Sequence, residues 1–116
     1  MINAPNTSGA SAAVTAAASG TTGAVAATLA GAPNKITFLC GFDVSAAGTG
    51  TISPITVSGI VGGPFTYQGI SAGAAPFVHA FSPGIPAAGP NTPITITTTA
   101  DGTASAVNVN VWGFQQ

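Results

Sequence analysis

The stretch "ITITTTADGTASAVNVNVWGF", Ile94 to Phe114, holds two runs of apolar–polar alternation on either side of Asp101-Gly102. Alternation at period two is the pattern of a strand with one buried face. Asp-Gly is a strong signal for a type I′ turn, which needs positive φ at both central positions. A two-residue loop there pairs Ala100 with Thr103, Ile96 with Val107 and Ile94 with Val109. Ile94, Ile96, Val107, Val109 and Val111 then share one face, and Thr95, Thr97, Thr99, Asn108 and Asn110 the other. A one-residue slip would mix the faces. The stretch is therefore expected to be a hairpin.

The same period recurs upstream of this stretch. "AVAATLA" (Ala24–Ala30), "KITFLCGFDV" (Lys35–Val44), "TISPITVSGIV" (Thr51–Val61), "FTYQGIS" (Phe65–Ser71) and "FVHAF" (Phe77–Phe81) each end at Gly/Pro-rich turn signals. With the last two runs they make seven strand candidates, one of which Pro54 can split. Sixteen Gly and nine Pro argue against a helical bundle. The expected fold is all-β, a single jelly-roll-like β-sandwich over residues 24–116. Residues 1–23 are low-complexity Ala, Ser, Thr and Gly, too small to build a core, and are expected to form an extended N-terminal arm lying on a neighbouring subunit.

Charged residues make up 3% of the 116, against about a quarter in an ordinary domain. One cation cannot displace counterions from nucleic acid, nor form a polybasic membrane patch. No apolar run reaches transmembrane length, and the first residues lack a basic and a Leu-rich region, so a secretory signal is not expected. The Asn6-Thr7-Ser8 sequon then reads as a chance match. A net charge of −1 offers no long-range repulsion between copies. A surface solvated by Thr, Ser and Asn is one answer to that; burial of much of the surface in an assembly is the expected one.

Candidate chemistry is sparse. "NKITFLCGFDVS" (Asn34–Ser45) gathers Lys35, Cys40 and Asp43. On an unbroken strand, Cys40 shares the apolar face with Phe38 and Phe42 and reads as a buried hydrophobe. Lys35 and Asp43 share the other face about 26 Å apart, too far to pair. His79, the only His, sits on the Phe77–Phe81 side of its strand. A Cys40–His79 pair across the sandwich is conceivable, but no acid–base constellation surrounds it. One Cys, one His and two Asp fall short of a closed zinc site, and no Gly-rich loop with a Lys cradles phosphate. No enzyme and no cofactor are expected. Trp112 and Phe114 continue the Asn108/Asn110 face under the hairpin register. Either a break near Gly113 turns them into the core, or they are exposed and mark a contact surface.

The segments "CGFDVSAAGTGT", "ITVSGIVGGPFTY" and "WGFQQ" resemble small β-sandwich structural proteins of tailed-bacteriophage virions, among them head decoration (cement) proteins. The likeness covers about residues 24–116 and rests on Gly41-Phe42, Gly62-Gly63 and Gly113-Phe114. It implies a structural role in the virion capsid after synthesis in the host cytoplasm, with the major capsid protein and the chain itself, as a homotrimer, for partners. It transfers no catalytic residue. A second reading, from another class, is a receptor- or glycan-binding module of a phage tail, fibre or bacterial surface. Trp112 and Tyr67 would be stacking platforms there, and Trp112, Phe114 and Tyr67 are the interface residues to watch.

Overall fold

The computed structural model describes residues 12–48, 50, 52, 54–68, 73, 75–101 and 106–116. Among the described residues, the seven alternating runs and the segment Ala12–Gly20 form eight strands: β1 (Ala12–Gly20), β2 (Thr22–Leu29), β3 (Thr37–Ala47), β4 (Ile55–Ser58), β5 (Phe65–Tyr67), β6 (Phe77–Pro86), β7 (Ile94–Asp101) and β8 (Ala106–Gln115). They form two antiparallel sheets, β1-β8-β3-β6 and β2-β7-β4-β5. The pairing is nested: β1 with β8, β2 with β7, β3 with β6, β4 with β5. Every connection except β4–β5 crosses between the sheets. This is a jelly roll, the long-hairpin winding of a β-sandwich.

Leu29, Leu39, Phe42, Ile55, Ile94, Ile96 and the Val107–Val109–Val111 row fill the space between the sheets, each at most 1% exposed. Full burial of one such side chain contributes about 1.5–3 kcal/mol relative to leaving it in water.

The expected hairpin is not formed. Strand β7 lies in the second sheet, where Ile96 pairs with Ala27 and Val57. Strand β8 lies in the first, where Val107 pairs with Gly20 and Ala46. The face assignment nonetheless holds, because the two apolar rows meet across the interior instead of side by side. An Asp-Gly signal specifies a turn, but alternation is satisfied by any neighbour on the correct side. Gly102 and Thr103 lie outside the described residues.

The start of the sandwich also needs correction. Residues 12–20, assigned to the arm by composition, are β1, and β2 follows after Thr21 alone. Small side chains cannot make a core, but Val14, Ala16 and Ala18 pack against one that others supply. Residues 1–11 of the expected arm lie outside the described residues.

Strand β3 changes phase midway. Leu39 pairs with Gly113 and Gly41 with Trp112, so Cys40 is an extra residue in a β-bulge. Before it Leu39 points inward and Phe38 outward; after it Phe42 and Val44 point inward. Cys40 is therefore not on the core face between two Phe. It is half-buried on the outer side against Gly84, where an added Cβ would lie 3.3 Å from its Sγ.

Candidate functional site

Alternation in β8 persists through Gly113, which is buried, so Trp112 and Phe114 stay on the outer face of the first sheet with Asn108 and Asn110. Registers to β1 and β3 lay out that face in rows. Ser19, Asn108 and Ser45 form one; Ala17, Asn110, Asp43 and Val78 the next. Thr15, Trp112, Gly41 and Ala80 form a third, and Ala13, Phe114, Phe38 and Pro86 a fourth. Rows two residues apart are about 7 Å from each other.

Trp112 has room because its neighbour is glycine. A Cβ on Gly41 would fall 2.5 Å from Cζ2 and 2.7 Å from Cε2 of the indole. The ring thus lies against the bare backbone of β3 and remains half-buried rather than enclosed. Beside it, Phe114 and Phe38 stack with centroids 4.8 Å apart and planes 6° from parallel. On the other side the Asn110 amide donates to Asp43 Oδ1 at 2.9 Å, which orients both groups on the exposed surface. The surrounding residues, Thr15, Ala17 and Ala80, are small and exposed. Among the described residues the result is an open shelf with an aromatic ring and an amide–carboxylate pair, bordered by small side chains.

Tyr67 belongs elsewhere. It lies at the edge between the sheets, with ring centroids 5.4 Å from Phe77 and 5.2 Å from His79. Phe42 lies beneath this cluster, and Phe81 sits 4.7 Å from His79. The structure therefore joins Trp112 and Phe114 on one face and separates Tyr67 from them. His79 points inward opposite Phe42, while Cys40 is on the outer side, so the sheet stands between them. Burial pushes the Cys40 thiol up from its ordinary value. Among the described residues, no group of three His, Cys, Asp or Glu could hold a metal ion.

The outer face of the second sheet is plainer. Thr28, Thr95 and Ser58 make one row, Ala26, Thr97, Thr56 and Thr66 another. Thr28 and Thr95 share a hydroxyl–hydroxyl hydrogen bond of 3.1 Å.

Sequence reasoning missed Gly41, Phe38 and the Asn110–Asp43 pair as parts of one surface. A glycine inside a strand signals a bulge or close approach, and Gly41 is both. Its partner could not be read locally.

No family model matches the chain, and no curated protein matches it. Among solved structures, a family 29 carbohydrate-binding module is similar with a TM-score of 0.38 and 15% identity, over 83% of this chain and 62% of that one. A variant of such a module complexed with cellulohexaose has a TM-score of 0.35 and 11% identity, over 78% of this chain and 61% of that one. The chain thus spans about three-fifths of the length of those modules.

Proposed function

We propose that the protein is a non-catalytic recognition module that binds a neutral glycan on the outer face of its first sheet. The observation that carries this is Trp112 laid over Gly41 beside the Asn110–Asp43 pair. A sugar presents an apolar C–H face and a rim of hydroxyls. The indole supplies a stacking surface, and the amide and carboxylate supply a donor and acceptors one row away. With rows about 7 Å apart, neighbouring residues of an extended oligosaccharide can meet the ring and the polar pair at once. The test is retention on immobilised neutral polysaccharides together with a glycan array. Binding that is lost in Trp112→Ala, with thermal stability retained, is expected. Absence of binding to every neutral glycan, or binding undiminished in Trp112→Ala, refutes the reading.

A second reading, a capsid decoration protein on the major capsid protein, is favoured by the surface. Net charge is −1, and Val61 and Val78 are 54% and 63% exposed. Such a surface attaches through uncharged and apolar contacts, so occupancy on particles should be insensitive to salt. Release by moderate NaCl counts against it. Because β1 is part of the sandwich, the contribution of an arm is tested by deleting residues 1–11; removing residues 1–23 would also strip a strand from the first sheet.

A further inference from the structure

Among the described residues the jelly roll leaves four edge strands, and they are not equally protected. Strand β5 is three residues long and follows Pro64. Strand β6 carries Pro83 and Pro86, and its pairing with β3 shifts register. Prolines, shortness and irregular pairing are the means by which proteins blunt exposed edges. On the opposite side, β2 has Gly23 at φ +73° near its start, which interrupts the extended backbone. Strand β1, "AAVTAAASG", has none of these features. It pairs with β8 over nine consecutive residues without a shift, and it contains no proline and no ionisable side chain.

We propose that β1 is an assembly edge that pairs antiparallel with β1 of a second copy of this chain. Two features select that occupant. The strand is self-complementary about Ala16: Val14 then lies opposite Ala18 of the second copy, and Thr15 opposite Ala17. The inner row is apolar and the outer row neutral, and no like charges meet across the two-fold axis. The inward side chains Val14, Ala16 and Ala18 are also only half-buried in one copy, although they pack on the core. Extending the first sheet from four strands to eight covers the side of that row that one copy leaves open. The pairing does not depend on what the outer face binds. It would set two Trp112 rings on one continuous surface, with their β8 strands about 14 Å apart, and so allow bivalent attachment.

Sedimentation equilibrium and light scattering on the full chain test this. A dimer is expected. Thr15→Lys/Ala17→Lys, both on the exposed outer face, crowds four ammonium groups across the axis and should raise the dimer dissociation constant roughly a hundredfold or more. The circular dichroism spectrum should not change. In a Cys40→Ser background, Ala16→Cys places its thiol opposite its own copy and should oxidise to a covalent dimer. A monomer up to millimolar concentration, a trimer, or a dimer indifferent to the lysine pair overturns the proposal. If the lysine variant does not fold, the Ala16→Cys result decides: no covalent dimer refutes it.

Discussion

Replacing Gly41 by Ala tests whether the Trp112 shelf is built as described. The added Cβ would stand 2.5 and 2.7 Å from two indole carbons and 3.0 Å from the His79 carbonyl oxygen. Ordinary carbon contacts are about 3.5–4.0 Å, so the ring must withdraw by about 1 Å. Overpacking of this kind costs about 1–3 kcal/mol. Alanine returns about 0.5–1 kcal/mol by restricting the unfolded chain, since Gly41 does not adopt positive φ. The net loss should be about 1–2 kcal/mol. In a Trp112→Ala background the ring is absent and only the His79 contact opposes the Cβ, so the same substitution should be close to neutral. The double-mutant cycle in urea, followed by circular dichroism, should therefore show a coupling of about 1–2 kcal/mol. An equal cost in both backgrounds would mean that the indole does not lie on Gly41, and the shelf with it would fall.

Three further outcomes follow from other contacts. Gly113→Ala places a Cβ 1.9 Å from the Phe38 carbonyl oxygen; backbone cannot yield like a side chain, so a loss of about 3 kcal/mol or more in urea is expected, and a near-neutral midpoint would contradict the β3–β8 register. Phe42→Ala removes a fully buried ring that lies within 6.4 Å, centroid to centroid, of Tyr67, Phe77, His79 and Phe81. It should cost about 3–5 kcal/mol and weaken the near-ultraviolet dichroism of Tyr67; an unchanged midpoint would refute the core assignment. The Cys40 thiol, raised by burial, should react with iodoacetamide more slowly than a free thiol at mildly alkaline pH. A folded-state value above the unfolded one makes this group's contribution to stability complete below the ordinary thiol range and lost as pH climbs through the raised value. Stability of the native chain should thus fall more steeply than that of Cys40→Ser above that range, and parallel pH curves would count against it.

Much of the core was legible in local pattern. Ile94, Ile96, Val107, Val109 and Val111 are all buried where alternation placed them. In β3 the same logic misplaced Phe38 and Cys40, because the extra residue in the bulge shifts the phase, so the inward face of Phe42 and Val44 continues to Leu39 rather than to Cys40 and Phe38. Composition misread residues 12–20 for a related reason. It reports whether a segment can build a core, not whether a core built elsewhere will accept it as an edge strand. The shelf was only half visible: Trp112 and Phe114 were marked, while Phe38, Gly41 and Asp43 come from a strand about seventy residues away in sequence.

Local patterning alone sets the all-β class, most of the strand segments from Thr22 onward and which side of β7 and β8 faces inward. Period-two patterning is a property of each strand alone, and burial of one face is favourable whichever neighbour provides the cover. Which strand lies beside which was decided only by the tertiary structure. The nested pairing that puts β8 between β1 and β3 is non-local, and the Asp101-Gly102 signal in the sequence carries no information about it. That pairing sets Trp112 on Gly41 and Asn110 against Asp43, so the surface most suited to recognition exists only once the jelly roll has closed.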